Sequence, residues 1–170
     1  MVIRYKYIGI TAVILILGAM VFWWFYEGET EDDKIRRLLT EVVENVNRRH
    51  DEGTSGNLLR SNRLPKYFTD PCDVSIGVSE VGGVYSEAQI TNNSMRARAM
   101  FKTISAQISD IHIIHRPDSE RAIAEFSATL DGVFNNDETV HGVRDLRCEL
   151  EKQDGQWKIS TINIRQVLEK

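Results

Sequence analysis

The chain has 170 residues, enough for one domain of ordinary size, and a net charge of −4. All 25 acidic residues follow Tyr26, while only Arg4 and Lys6 of the 21 basic residues precede it, so the part beyond Tyr26 is more acidic than the whole. That balance argues against a nucleic-acid partner, which needs clustered Lys and Arg.

Residues 8–26 read IGITAVILILGAMVFWWFY and carry no charge. At 1.5 Å per residue such a helix spans about 28 Å, close to the hydrocarbon thickness of a bilayer. Its far end holds Trp23, Trp24 and Tyr26, aromatic side chains that suit the headgroup level. A cleaved signal peptide would have a shorter apolar core and a small-residue cleavage site, where this run ends in bulky rings. The segment is therefore expected to be a single transmembrane helix. Arg4 and Lys6 before it, with Glu27, Glu29 and Glu31 after it, place the N-terminus in the cytoplasm and the rest in the periplasm or outside the cell. The bilayer is then the first expected partner. The expected divisions are 1–26 for tail and membrane helix, 27–33 for linker and helix cap, and 34–170 for the domain.

Thr30 to Asp33 reads as a capped helix start. Ile35, Leu38, Leu39, Val42, Val43 and Val46 then form one apolar stripe on a helix ending near His50. A shorter helix is expected over 58–68, interrupted by Pro65. Residues 72–79 alternate as a strand, Gly82-Gly83 turns, and Val84-Tyr85 returns. A third helix is expected over about 93–104, with Ala97, Met100, Phe101 and Ile104 inward. Four long strands follow, over 108–115, 121–134, 138–152 and 156–167, the last two joined at Asp154-Gly155. Segregated helices and antiparallel strands indicate an α+β fold.

At this point the chain resembles the nuclear-transport-factor-2-like superfamily, also called the ketosteroid-isomerase-like cone fold. The resemblance rests on the order of elements and on two stretches. Leu64 to Val74 looks like a second helix running into a first strand, and Asp154-Gly155-Gln156-Trp157-Lys158-Ile159 is similar to a "D-G-x-W-[KR]-I" hairpin. It implies a curved antiparallel sheet wrapped round helices, with a pocket open at one end. Isomerase members place a carboxylate base and a Tyr–acid pair in that pocket. Tyr67 and Asp73 stand in comparable areas, but the full triad does not match position by position.

Arg144 lies on a strand face with Val140, Gly142, Leu146, Cys148 and Leu150, while Asp145, Arg147 and Glu149 point the other way. It reads either as a pocket cation for an anionic group or as a side chain that snorkels past apolar neighbours to water. In the last strand Trp157, Ile159, Thr161, Asn163 and Arg165 share one side, and Ser160, Ile162 and Ile164 the other. Either both faces are covered, one by a partner copy, or a bulge changes the phase midway. Tyr67, Asp73, Arg144 and Asn163 are the candidate pocket residues.

His112 and His115 stand three apart and face opposite sides of a strand, so no metal set can be assembled, and no cofactor motif is present. Cys72 and Cys148 read as buried free thiols. Without a catalytic set, the first functional expectation is a non-catalytic, membrane-anchored binding or assembly module. It would pair with itself or with a membrane complex through the sheet face. Its layout resembles the periplasmic assembly subunits of type IV secretion machines and the accessory proteins of lipid importers. The alternative is a small-molecule enzyme or ligand carrier using the cone pocket. An interior filled by Phe101, Phe126, Leu130 and Leu146 would count against it.

Overall fold

The computed structural model describes residues 29–76, 82–117 and 120–165. The expected membrane helix, with Trp23, Trp24 and Tyr26, lies outside the described residues. Among those described, no helix is long and apolar enough to cross a membrane. The sheet and its covering helices belong to one compact unit, Lys34–Lys170.

Helix α1 runs from Glu31 to Val46. The expected cap is formed: the Asp33 amide donates to Thr30 Oγ1 at 3.2 Å, and the Thr30 amide donates back to the Asp33 carboxylate at 3.2 Å. Ile35, Leu38 and Leu39 of the predicted stripe are buried. The helix is closed at its other end by side chains from elsewhere. Arg60 Nη1 donates to the Glu44 carbonyl at 2.6 Å, and Arg98 Nη1 donates to those of Asn45, Val46 and Asn47 at 2.6, 2.6 and 2.8 Å. Cations are favoured there, where carbonyls lack partners and the helix dipole is negative.

Helix α2 covers Thr54–Arg63 and continues as a single 3-10 turn, Leu64–Tyr67. The expected helix over 58–68 therefore begins earlier and tightens before its end. Pro65 has no N–H to give, so the α-type ladder cannot run through it. Strand β1 is Phe68–Ile76, β2 is Gly83–Tyr85, and α3 is Glu87–Ala99, opened by a Ser86–Gln89 capping box. This corrects the third helix, expected over 93–104. Met100 is exposed, Phe101 and Ile104 belong to the next strand, and the residue buried at the end of α3 is Arg98. The remaining strands are β3 Phe101–His115, β4 Arg121–Phe134, β5 Thr139–Gln153 and β6 Gln156–Arg165.

The six strands form one curved sheet in the order β2-β1-β6-β5-β4-β3. It is mixed, not wholly antiparallel as expected, because β1 pairs in parallel with β6. Strands so distant in sequence need no tight turn between them, which is what permits parallel pairing. One face of the sheet packs on the helices. Ala122, Ala124 and Phe126 of β4, Cys148 and Leu150 of β5, and Trp157 and Ile159 of β6 meet Ile35, Leu38 and Leu39 there. Each such Leu- or Phe-sized side chain contributes roughly 1.5–3 kcal/mol by leaving water.

The last strand changes phase at a bulge. Leu150 pairs with Ile159 and Glu149 with Thr161, so Ser160 is the extra residue. Ile159 and Ile162 therefore share the helix-side face, opposite Leu150 and Cys148, while Thr161 and Asn163 join Glu149 and Arg147 on the outer face. The bulge, one of the two readings of this strand, is formed. Cys72 and Cys148 are buried free thiols. Strand β6 lies between theirs, and two strand spacings, about 10 Å, exceed disulfide reach.

Candidate functional site

Tyr67 ends the 3-10 turn with its ring buried against α1. Its hydroxyl donates to Glu41 Oε2 at 2.8 Å and accepts from Asn45 Nδ2 at 3.3 Å. Asn45 is held in turn by donating to the Glu41 carbonyl at 2.7 Å, one helical turn back. Lys66 Nζ lies 3.8 Å from Glu41 Oε2 and 4.5 Å from the centre of the Tyr67 ring. Arg37 Nε is 3.9 Å from Glu41 Oε1. The Glu41 carboxylate thus collects one neutral donor and two cations. It remains open to solvent, with 39% of its side chain exposed.

Two recesses meet at Glu41, Lys66 and Tyr67. One, of about 650 Å³, runs along α1 and α2 past Glu44, Glu52 and Arg60. The other, of about 350 Å³, lies between the start of α1 and the β5–β6 hairpin, with Leu38 and Trp157 at its wall. Both are in the size range of small-molecule sites. Burial pushes the Tyr67 phenol above its ordinary value, and Glu41 pushes the same way while Lys66 opposes. The group is therefore a neutral O–H donor at ordinary pH, beside a carboxylate that can take a proton.

Of the four residues singled out from sequence, only Tyr67 belongs to this cluster. Arg144 shares the helix-side face with Ala128, its partner across β4, but beyond the buried block. It is exposed, and its guanidinium donates to the Val143 carbonyl at 2.7 Å. Asp73 pairs with Thr161, and Asn163 with Ser75 and Arg147, so both lie on the outer face. Asn163 and Ser75 are hydrogen-bonded there. The four do not converge. The sheet interior is partly filled: Phe126 is buried and Leu146 packs on the core, whereas Leu130 is exposed and Phe101 stacks on Phe134 at 4.1 Å.

Glu41 and Asn45 were missed by sequence reasoning. Their spacing of four was the available signal, since it puts both on one side of α1 beside the stripe. Among the described residues no group of three His, Cys, Asp or Glu side chains could hold a metal ion.

No protein-family model and no curated protein sequence matches the chain. Solved structures do match. A provisional scytalone dehydratase from Novosphingobium aromaticivorans shares 17% identity over 81% of this chain and 85% of its own, with a TM-score of 0.65. A provisional aromatic ring hydroxylase from the same organism shares 12% over 80% and 88%, with a TM-score of 0.66. A hexachlorocyclohexane dehydrochlorinase from Novosphingobium barchaimii shares 14% over 78% and 83%, with a TM-score of 0.59. At such identities the likeness concerns the fold, which is the nuclear-transport-factor-2-like cone fold. The expectation of a non-catalytic assembly module is corrected here. These structures bear the names of enzymes, which is the finding that overturns it.

Proposed function

We propose that the domain binds a small molecule at the Glu41–Tyr67 pair and moves a proton there, as an isomerase- or lyase-type enzyme. The observation that carries this reading is the 2.8 Å hydrogen bond from a buried phenol to a half-open carboxylate, where two recesses meet. The named enzymes of the same fold, a dehydratase and a dehydrochlorinase among them, favour the same class. In such a step the ligand C–H bond next to a carbonyl breaks and Glu41 takes the proton. The electron pair moves onto the carbonyl oxygen, and the Tyr67 hydroxyl turns its hydrogen bond from Glu41 to that oxygen. An elimination differs only in that the pair goes on to expel a leaving group. The test is deuterium uptake from heavy water into a panel of single-ring carbonyl compounds, followed by proton NMR. Exchange by the wild type and its loss by a factor of 10² or more in Glu41→Gln is expected. Equal exchange by both proteins would overturn the reading.

The tether belongs to the same proposal. Residues 8–26 span the bilayer, with the N-terminus in the cytoplasm and the domain in the periplasm or outside the cell. The outer sheet face serves a second copy or a membrane-complex partner. An alkaline-phosphatase fusion after Lys170 should be active in a bacterial host, and activity from a cytoplasm-only reporter instead would reverse the orientation.

A further inference from the structure

Asn45 is only 7% exposed, yet it lines the larger recess beside Glu41 and Tyr67. Its partners fix which way its amide points. The Glu41 main-chain carbonyl can only accept, so the group 2.7 Å from it is the NH2 of Asn45. The same nitrogen donates to the Tyr67 hydroxyl at 3.3 Å. Both N–H groups of Nδ2 are thereby used, and the side-chain carbonyl oxygen, Oδ1, is turned away from both partners. Among the described residues no donor meets Oδ1. Among them too, the fully enclosed side-chain polar atoms without a partner are Arg48 Nε and Ser61 Oγ. Asn45 Oδ1 is not one of these, so it reaches accessible space, and the recess is the space that Asn45 lines. The recess therefore holds a rigid acceptor, set in a residue more than nine-tenths buried, that only something entering the recess can satisfy.

From this arrangement we infer that Asn45 is a specificity-determining residue whose Oδ1 accepts a hydrogen bond from the ligand. The ligand is then a neutral carbonyl compound with an O–H or N–H on the atom next to its carbonyl carbon, such as an α-hydroxy ketone or a cyclic amide. The spacing suits such a pair. Nδ2 lies 3.3 Å from the Tyr67 hydroxyl oxygen. Amide bond lengths keep Oδ1 within about 2.6 Å of Nδ2, so Oδ1 and the Tyr67 hydroxyl are at most about 6 Å apart. A carbonyl that accepts from Tyr67 and a donor on the adjacent atom, given to Oδ1, fit between the two. The recess has no net charge with which to select an ion, because its lining carries four carboxylates and four Lys or Arg side chains. Its volume of about 650 Å³ admits a small molecule. This inference rests on the Glu41–Tyr67 reading for the place of the ligand's carbonyl and adds the substrate class to it.

Valerolactam carries the two groups side by side, and its carbon-bound protons are too weakly acidic to exchange, so it reports binding alone. N-methylvalerolactam keeps the ring and the carbonyl but has no donor. Titration of the full-length protein in detergent, followed by saturation-transfer NMR, should show valerolactam binding about tenfold or more tightly than its N-methyl form, since the latter leaves Oδ1 bare. Asn45→Leu, checked for its fold by circular dichroism, should bring the two to within about twofold of each other. Asn45→Asp keeps acceptor oxygens and loses the donors, so it should still prefer valerolactam. Equal binding of the two lactams by wild type, binding of neither, or loss of the preference in Asn45→Asp would overturn the inference. So would a preference that persists in folded Asn45→Leu, which would mean that the methyl group is rejected by shape alone. An intact preference without any deuterium exchange would sink the proton-transfer reading and leave this one standing. Exchange that survives while the preference is absent would do the reverse.

Discussion

Arg98 Nη1 donates to the main-chain carbonyl of Asn45 at 2.6 Å, so the last turn of α1 is closed by a side chain from α3. The same guanidinium donates through Nε to Asn57 Oδ1 at 3.0 Å and pairs with Glu52. It thereby ties three segments together at one buried point, directly behind the residue that holds Tyr67.

Arg98→Met should cost about 3–5 kcal/mol, because it leaves the Glu52 carboxylate with only its 3.5 Å pair to Arg60 and three carbonyls without their donor. Arg98→Lys should recover only part, since an ammonium cannot span the same set of acceptors. Urea midpoints of the full-length protein in detergent check both. A loss below 1 kcal/mol for the Met variant would mean that water replaces the guanidinium.

Removing the Tyr67 hydroxyl should cost about 1.5–3 kcal/mol, the range for a hydrogen bond to a charged group. It should also delete one phenol from the ultraviolet titration, one that ionises above the ordinary tyrosine range because burial raises it. Tyr67→Phe against wild type, followed near 295 nm as pH rises, isolates that group. A missing component at the ordinary value instead would show an exposed ring.

Burial pushes Cys72 up to about 11 and Cys148 to about 12, the second helped by its nearness to Cys72. In the unfolded chain both ionise near 9. Between pH 9 and 11 the folded state binds more protons than the unfolded one, so stability is full below pH 9 and falls as pH rises. The slope is up to about 1.4 kcal/mol per pH unit for each thiol. Cys72→Ala with Cys148→Ala should flatten that slope relative to wild type. Both thiols should also resist a disulfide reagent at pH 8 until the protein is denatured.

Two strand glycines make opposite cases. A Cβ at Gly132 would sit 2.8 Å from Phe101 Cε1 and 3.1 Å from Val140 Cγ1, whereas one at Gly142 meets nothing within 4 Å. Gly132→Ala must therefore push on the Phe101–Phe134 stack and should cost about 1–3 kcal/mol. Gly142→Ala should be neutral or slightly stabilising, through the unfolded chain's lost freedom. Thermal midpoints decide, and a neutral Gly132→Ala would show that the stack yields freely.

Leu39→Asp would bury a carboxylate with no partner on the α1 stripe and should unfold the domain. Arg37→Asp, on the exposed side, should shift stability by less than about 1 kcal/mol. Circular dichroism of both variants is sufficient.

What could be read from sequence was local. The α1 stripe repeats at helical spacing, and its Thr30–Asp33 cap lies within four residues. The Asp154-Gly155 turn adopts φ values of 50° and 77°, as its residue types demand. What could not be read was long-range. Glu41 looks like a solvent-face acid paired to Arg37 one turn away, and nothing in its neighbourhood names Tyr67, 26 residues on. Arg98 sits beside Arg96 in a stretch with no acidic residue between Glu87 and Asp110, and its burial follows only from where α1 ends. The β6 bulge depends on register with β5, so the strand's own alternation left two readings open. Arg144 attracted notice because its face is apolar elsewhere, yet helices cover that face only in part.

The sheet ends in two strands, and each is guarded differently. Strand β2 is three residues long. Strand β3 has fifteen, but its outward backbone is already occupied at intervals. Ile104 exchanges both amide–carbonyl bonds with Arg48, Ala106 is gripped by the Asn47 side chain, and the Ile111 carbonyl accepts from Arg36. Asp110, at φ 55°, bends the strand between them. A stray β-segment from another chain therefore finds no straight template on which to zip. Copies crowded together can meet side chain to side chain but are denied the edge-to-edge growth that leads to fibres.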